Sequence, residues 1–374
     1  MKQYEPIGKY IHLTDTRNID LSVTNLVGLT IEKRYIPSVA NVIGTDLSKY
    51  KVIKQGQFAC SLMQVSRDGK MPVAMYKGEP AIMSPAYPVF EVNDINELMP
   101  EYLHMYLSRQ EFDREAVFRA VGGVRGSLDW EDFLAMKMPV PDIDEQRKIV
   151  AEYQAVEQRI ENNNRLIKAL EDTAQAIYHH TFVENIDPEN LPEGWSVGYL
   201  YDLGKFTNGL ACQNFEGNGS KQIPVLKIRE LNQGFADSTS DRVDDTFPQS
   251  HIVKSGDLIF SWSATLMVKF WSSDNIALNQ HLFKVTSNVY PLWFLYFGIK
   301  QHIAAWKNLI SAKATSMGHI KIEDLQRATV HIPKPQLLET LDKEINPIIK
   351  LMILAEQENL KLSKAKNLLL SKLS

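Results

Sequence analysis

Residues Glu145 to Phe182 read EQRKIVAEYQAVEQRIENNNRLIKALEDTAQAIYHHTF and contain neither Pro nor Gly. Mostly apolar positions recur at alternating spacings of four and three, which indicates a heptad seam along which a second helix packs. At 1.5 Å per residue this helix would be on the order of 50 Å long, so it needs a partner of similar length. The seam positions are Ile149, Tyr153, Val156, Ile160, Asn163, Ile167, Leu170, Ala174 and Ile177.

A second run with the same alternation lies near the C-terminus, and each of its positions follows a position of the first run by 192 residues. Two runs in identical register at one offset indicate an internal duplication. Within the seams, Asn163 and Asn359 either fix the register of the helix pair or lie at a wet edge, and the sequence leaves both roles open. The second seam comprises Leu341, Ile345, Ile348, Met352, Ala355, Asn359, Leu362, Lys366 and Leu369.

The duplication extends to the segments that precede each helix. VIKQGQFACS (Val52 to Ser61) matches IVKSGDLIFS (Ile252 to Ser261), and GSLDWEDFLAMKMPVP (Gly126 to Pro141) matches GHIKIEDLQRATVHIP (Gly318 to Pro333). Short β-rich segments bounded by Gly and Asn/Asp turns alternate with amphipathic stretches, for which one helix is predicted at 100–119 and its counterpart at 291–309. Each copy is therefore predicted to be a small mixed unit followed by a long helix.

The order of these segments favours antiparallel helices. The second unit starts where the first helix ends and ends where the second helix starts, so an antiparallel pair gives the shortest connections. The predicted fold class is α+β, with two similar α/β domains of small, twisted, mainly antiparallel sheets and helices, separated by two long antiparallel coiled-coil helices with pseudo-two-fold symmetry. The predicted segments are a first domain at 1–144, a first helix at 145–182, a second domain at 183–336 and a second helix at 337–374.

Composition narrows the class of protein. The longest strongly apolar run, Tyr290 to Ile299, is too short to span a bilayer, and no signal-peptide pattern opens the chain. Cys60 and Cys212 lack metal-ligand spacing, which favours buried, reduced thiols in a cytoplasmic protein. The net charge of −4 counts against coating nucleic acid by bulk charge, although a local basic face remains compatible with it.

The motifs of catalysis are missing from the sequence. The nearest match to the Asn/Asp-Pro-Pro-Tyr/Phe turn of adenine methyltransferases is Ser84 to Tyr87, SPAY, which lacks the second Pro and follows no Gly-rich cofactor loop. The histidines share no metal-ligand spacing such as HExxH, and no GxSxG nucleophile motif is found. We therefore expect a chain without catalytic residues and without a metal site.

The second copy closely resembles the target recognition domains of type I restriction-modification specificity subunits, the HsdS family. The resemblance is carried by IPVLKIREL, SGDLIFSWSAT, ALNQHLFKV and GHIKIEDLQRATVHIPKPQLLE, and the first copy has weaker versions of the same blocks. It covers nearly the whole chain, because the long helices resemble the spacer helices of that family. It implies a non-catalytic DNA-binding subunit whose two domains recognise an asymmetric, bipartite sequence from the major groove.

The resemblance also implies partners. These are double-stranded DNA, two methyltransferase (modification) subunits and, in a restricting system, restriction/translocase subunits. S-adenosylmethionine is expected in the methyltransferase subunits, and no cofactor is expected in this chain. No membrane partner is implied.

Loops that differ most between the copies are the candidates for contacting DNA, since Arg and Lys reach guanine edges and phosphates. Arg67 and Lys70 flank an Asp-Gly turn, so both are expected at a hairpin tip. The predicted DNA-binding residues are Lys33, Arg34, Arg67, Lys70, Arg119 and Arg125 in the first copy, and Lys221, Lys227, Arg229, Lys269, Lys313 and Lys321 in the second.

Two other functions fit parts of the pattern. A non-catalytic coiled-coil scaffold would use its two heads to bind proteins, and its binding would show no preference for a DNA sequence. A standalone methyltransferase with an unrecognised site would transfer methyl groups without a partner. DNA-binding and methyl-transfer assays on the purified chain separate both from the specificity subunit.

Overall fold

Each copy of the duplicated sequence contains short strands, short helices and a long helix. The structure is a computed structural model that describes residues 4–63, 65–121, 126–184, 186–215, 222–312 (of 312 the backbone only) and 320–373. The first copy comprises strands β1 Tyr4–Pro6, β2 Ile11–Thr14, β3 Val27–Leu29, β4 Tyr35–Pro37, β5 Lys51–Ile53, β6 Phe58–Cys60, β7 Val73–Met75, β8 Ala81–Met83, β9 Val89–Val92 and β10 Lys137–Pro139, and helices α1 Val65–Asp68, α2 Pro100–Leu107, α3 Gln110–Ala120, α4 Trp130–Ala135 and α5 Ile143–His179. The second copy comprises β11 Ser196–Tyr199, β12 Lys205–Asn208, β13 Ile223–Leu226, β14 Arg242–Val243, β15 Ile252–Val253, β16 Leu258–Ser261, β17 Met267–Phe270, β18 Ile276–Leu278, β19 Leu282–Thr286 and β20 Thr329–Ile332, and helices α6 Ile228–Gln233, α7 Leu292–Ala312, α8 Ile322–Gln326 and α9 Pro335–Ser371.

A four-stranded antiparallel sheet lies at the centre of each copy, and its strand order is the same in both. The order is β2-β9-β6-β7 in the first copy and β12-β19-β16-β17 in the second. Phe58 lies opposite Phe90 in the first sheet, and Phe260 lies opposite Phe283 in the second. The shared order confirms the predicted duplication and the predicted antiparallel sheets.

Both faces of each central sheet are covered at its inner strands β6 and β16, which explains why every residue of these two strands is buried. Phe58 and Cys60 belong to the main core on the helical face, whereas Ala59 between them belongs to a smaller core on the opposite face. Phe260 and Ile259 divide in the same way. The smaller cores are closed by the pairs β3-β4 and β5-β8 in the first copy and by the sheet β14-β13-β18-β15 in the second.

The helices that pack on the central sheets differ between the copies. In the second copy, α7 is continuous over the region predicted at 291–309. In the first, the prediction of one helix at 100–119 is wrong, because the chain leaves the helical conformation at Arg109, whose ψ is 148°. The hydroxyl of Ser108 donates to the carbonyl oxygen of His104 at 2.7 Å, a side-chain bond that helps to end α2.

Two compact units make up the chain, and both long helices contribute to each. The first unit comprises residues 1–158 and 364–374, and the second comprises residues 159–363. In the first unit, Nζ of Lys366 on α9 lies 2.7 Å from Oε1 of Glu157 on α5, while Tyr153 shares the core with Leu370. Residue numbers therefore fall along α9 as they rise along α5, and the helices are antiparallel there.

The second unit shows the same antiparallel pairing. Asn163 contacts Asn359 across the pair, and further along α5 Ala174 and Tyr178 share a core with Ile345. All the predicted seam residues of both helices are buried or partly buried. The predicted boundaries of the four segments remain a prediction.

Candidate nucleic-acid interface

The turn between β3 and β4 carries two predicted DNA-binding residues in different environments. Arg34 is exposed, whereas the side chain of Lys33 is 9% exposed. Nζ of Lys33 donates to the carbonyl oxygen of Leu107 at 2.6 Å and lies 2.9 Å from Oδ1 of Asp113. Burial lowers the pKa of Lys33, and the Asp113 carboxylate opposes part of that shift. Lys33 therefore anchors the turn to the helices, and Arg34 faces solvent.

The connection between β6 and β7 carries Arg67 and Lys70, both exposed. The connection joins antiparallel strands, as expected of a hairpin. Its tip, however, is a short helix and not a simple Asp-Gly turn. Arg67 lies on the single helical turn α1, which Gly69 follows with a left-handed φ of 67°, as is common after a helix. Nε of Arg67 donates to Oδ1 of Asp68 at 2.9 Å, an exposed pair of small energetic value.

The next predicted cation of the first unit, Arg119, lies on α3, against which α1 packs. Arg119 donates from Nε and Nη2 to Oε1 of Glu115 at 3.0 and 2.9 Å, and it is partly exposed. Packing of α1 on α3 thus brings the connection that holds Arg67 beside the helix that holds Arg119. The predicted residue Arg125 lies outside the described residues.

Three predicted cations of the second unit lie on α6 or beside it. Lys227 precedes the helix and forms an ion pair with Asp241. Arg229 donates to Oε1 of the buried Glu230, which raises the pKa of Arg229. Nζ of Lys269 on β17 donates to the backbone oxygen of Asn232 at 3.1 Å. The structure therefore collects residues that are far apart in sequence around one short helix.

Lys321 lies at a cavity of about 810 Å³ in the second unit, beside the β16–β17 connection. Trp262 and Phe283 contribute aromatic rings to its wall, and Arg327 contributes a second cation. Glu323 and Asp324 also line the cavity and balance the two cations, so the aromatic faces are the part of the wall that suits nucleic-acid bases. The predicted residues Lys221 and Lys313 lie outside the described part of the chain.

A family model named the type I restriction modification DNA specificity domain matches residues 45–172 and 192–361. The chain belongs to this specificity family. The first range contains three of the four strands of one central sheet, β6, β7 and β9, and the second contains all four strands of the other, so the family repeat follows the structural repeat.

Known members of the specificity family resemble the chain over most of its length. The MjaIX specificity subunit of Methanocaldococcus jannaschii is 21% identical and aligns with 74% of this chain and 68% of its own. The HindI specificity subunit of Haemophilus influenzae is 18% identical, with 78% and 80% covered. The crystal structure of the type I S subunit from M. genitalium superposes with a TM-score of 0.58 at 14% identity, covering 99% and 95%, which supports the same fold.

Two exposed apolar side chains of this specificity-family chain were not among the residues predicted from the sequence. Phe118 on α3 is 80% exposed and Leu309 on α7 is 45% exposed. They occupy equivalent positions, each 18 residues after the proline that opens its helical region, Pro100 or Pro291. Comparing the copies position by position would have found them, but a search for charged residues in loops did not.

Other features of this specificity-family chain bear on catalysis and membranes. Ser84 to Tyr87 form a turn between β8 and β9, in which the Tyr87 amide donates to the Ser84 carbonyl at 3.2 Å. Across the described ranges, no cluster of His, Cys, Asp and Glu could hold a metal ion. Likewise, none of the helices in the described part of the chain is long and apolar enough to cross a membrane.

Proposed function

We propose that this chain is the sequence-specific DNA-recognition subunit of a type I restriction-modification complex. Each sheet-rich domain recognises one half of an asymmetric, bipartite DNA sequence, and the long helices set the number of base pairs between the halves. The observation that supports this most is the duplicated central sheet, on which the same strand order supports loops of different sequence and charge.

Local cations provide the attraction to DNA, because the net charge of the chain is −4. In the first unit Arg34, Arg67 and Lys70 are exposed, and in the second Lys227 and Lys321 are exposed. Exposed ion pairs with neighbouring carboxylates contribute little energy, so a phosphate can replace the carboxylate partner at small cost. Phosphate contacts orient each domain, and contacts to base edges in the major groove give the preference for sequence.

The chain itself is not catalytic in this proposal. Two methyltransferase subunits bind it, hold S-adenosylmethionine and methylate one adenine in each half-site. Leu351 and Leu354 on α9 are 44% and 58% exposed and lie three residues apart on one helical face, which suits a protein partner. In a restricting system a further subunit cleaves DNA that lacks the modification.

The decisive experiment is a gel-shift titration of the purified chain with its methyltransferase partner against libraries of bipartite DNA. The expected result is enrichment of one split sequence with a fixed spacer, and affinity that falls as salt rises. Binding without sequence preference and without salt dependence would leave a scaffold with protein-binding heads. Methyl transfer from tritiated S-adenosylmethionine by the chain alone would instead make it an enzyme.

A further inference from the structure

The first unit contains a helix start that its duplicate lacks. Where α7 runs unbroken in the second copy, the first copy ends α2 at Leu107 and begins α3 at Gln110. Arg109 is the N-cap residue of this 11-residue helix, and its own side chain forms no capping hydrogen bond. The first amide N–H groups of a helix have no partner within it, and together with the helix dipole they favour an anion.

Arg109 is itself a buried cation, and its ion pair with Glu111 is too long for a hydrogen bond. Its side chain is 4% exposed, and its guanidinium carbon lies 4.8 Å from the centre of the Tyr106 ring. Within the described residues, Nε of Arg109 has no hydrogen-bond acceptor, and the ion-pair oxygen nearest to it, on Glu111, is 3.6 Å away. A buried guanidinium is normally paired and hydrogen-bonded, because burial of an unpaired charge is costly.

The equivalent position in the second unit is satisfied. Lys300 lies nine residues after Pro291, as Arg109 lies nine residues after Pro100. Nζ of Lys300 donates to Oε1 of Glu171 at 2.6 Å. The first unit therefore combines a helix start with a buried cation whose Nε has no hydrogen-bond acceptor among the described residues, at a position where the second unit has neither.

Both features border one cavity of about 540 Å³ in the first unit. Lys70 contributes an exposed ammonium to its wall. The other charges of the wall include matched pairs: Lys33 with Asp113, and Arg114 with Glu111 at 2.9 Å. Glu32 also lines the cavity, so after these pairs are set aside Arg109 and Lys70 exceed the remaining carboxylate by one positive charge at the start of α3.

We propose that this cavity binds a phosphate group, held by the Arg109 guanidinium, the first-turn amides of α3 and Lys70. A planar guanidinium forms paired hydrogen bonds with phosphate oxygens, and amides at a helix start add further donors. The phosphate comes either from the backbone of bound DNA or from a free phosphate ion. The DNA source rests on the proposed function, whereas the free-ion source does not.

Calorimetric titration of the full chain with inorganic phosphate, at constant ionic strength set by chloride, tests the site directly. Arg109→Gln is expected to weaken phosphate binding at least tenfold, and the exposed variant Lys70→Gln is expected to weaken it severalfold. Glu111→Gln should tighten binding severalfold, because its carboxylate no longer competes for Arg109. Arg147→Gln, at an exposed arginine on α5, serves as the matched control and should bind as the wild type does.

The source of the phosphate is tested on the complex with methyltransferase partners and DNA at several salt concentrations. If a DNA phosphate occupies the cavity, the slope of log K against log salt falls in magnitude by about one in Arg109→Gln and in Lys70→Gln. If a free ion occupies it, the slope is unchanged while phosphate binding is still lost. Circular dichroism of each variant establishes that it is folded.

Two outcomes would overturn the site. One is phosphate affinity that is the same in the wild type, Arg109→Gln and Glu111→Gln. The other is a wild-type chain that binds no phosphate, together with salt slopes that neither variant changes. Half-site preference is measured separately in the DNA library selection, so failure of the phosphate site and failure of the DNA-recognition function are distinguishable.

Discussion

Asn163 on α5 and Asn359 on α9 are joined by a hydrogen bond inside the second unit, with Nδ2 of Asn163 3.0 Å from Oδ1 of Asn359. Asn163 is 3% exposed, and its Nδ2 also lies 3.0 Å from Oε2 of Glu358. The amide of Asn359 donates in turn to Oδ1 of Asn164 at 2.9 Å. A buried amide such as that of Asn163 is satisfied in one register of the helices and not in a shifted one. Of the two roles that the sequence leaves open, burial of Asn163 supports the fixing of register.

Replacing Asn163 by Ala is expected to lower the free energy of unfolding by about 1 kcal/mol, because Glu358 and Asn359 on α9, both only partly buried, lose hydrogen bonds from a buried donor. Urea denaturation followed by circular dichroism measures the change. Gln175→Ala, an exposed position on the same helix, is the control and should stay within about 0.5 kcal/mol of the wild type. Equal stability of the two variants would show that the amide network contributes nothing.

Inserting one heptad into each long helix tests their proposed role in setting the spacer. Seven residues lengthen a helix by about 10 Å, which corresponds to about three base pairs of DNA at 3.4 Å per step. We expect the selected bipartite sequences to keep both half-sites while the spacer grows by about three base pairs. Selection of an unchanged spacer by the lengthened chain would contradict the ruler role. Inserting the heptad into one helix only should disrupt the seam and reduce stability.

Lys33 and Arg34 are neighbours in sequence, but we predict that Lys33 supports stability and that Arg34 supports DNA affinity. Lys33→Met leaves the Asp113 carboxylate buried beside no ammonium, so the free energy of unfolding should fall by about 3 kcal/mol. Arg34→Ala removes an exposed side chain, so stability should change by less than about 0.5 kcal/mol while DNA affinity falls. Chemical denaturation and gel shifts measure the two effects. The assignment of roles fails if Lys33→Met is as stable as Arg34→Ala.

The parts of the fold that follow from local periodicity were predictable. The four-three seam runs through the residues that form α5 and α9, because a long exposed helix needs a continuous apolar stripe to pair. The break between α2 and α3 was not predictable, because both copies carry amphipathic sequence there. The break coincides with the side-chain hydrogen bond of Ser108 and the extended backbone of Arg109. The local sequence pattern does not determine where a helix breaks when the break depends on contacts made in the folded chain.

The candidate site was less predictable than the fold. Composition and loop position identify Arg67 and Lys70 as exposed cations, and both are exposed. The same reasoning cannot tell that Lys33 points inward, because its partner Asp113 lies 80 residues further along the chain. Exposure of a charged side chain depends on which distant groups the fold brings beside it, and a single sequence does not state those contacts.

His104 should make the stability of the chain depend on pH. Its Nδ1 is enclosed without a hydrogen-bond partner among the described residues, and burial lowers the pKa of His104 to about 4. The unfolded chain binds a proton near pH 6.5, so between pH 6.5 and 4 the unfolded state holds more protons. The neutral His104 side chain therefore causes no loss of stability above about pH 6.5. As the pH falls below that value the free energy of unfolding decreases, by about 2 kcal/mol at pH 5 from this group.

The second copy supplies the variant that tests this expectation. Its residue equivalent to His104 is Leu295, which is fully buried. His104→Leu should lose about 2 kcal/mol less stability than the wild type between pH 7.5 and pH 5, measured by urea denaturation at both values. His281→Gln, at an exposed histidine, should keep the wild-type pH dependence. The same pH dependence in wild type and His104→Leu would exclude His104 as the source.

Phe118 and Leu309 allow the two half-sites to be tested one at a time. Exposed apolar side chains of this size at equivalent positions indicate contact surfaces, and apolar side chains recognise the thymine methyl group in the major groove. Phe118→Ala should change base preference in one half-site by about 1–3 kcal/mol per affected base pair, and Leu309→Ala should change it in the other. Library selection with the methyltransferase partner measures both preferences.

Stability should be almost unchanged in both variants, because the truncated side chains are largely exposed. This separates a contact role from a packing role, since a core residue of the same size would cost several kcal/mol on truncation, roughly 3–5 for a buried Phe. Phe118→Ser should match Phe118→Ala if the lost contact is apolar. Two variants that alter the same half-site would contradict the assignment of one half-site to each domain. Two variants that alter neither would remove these helices from the DNA interface.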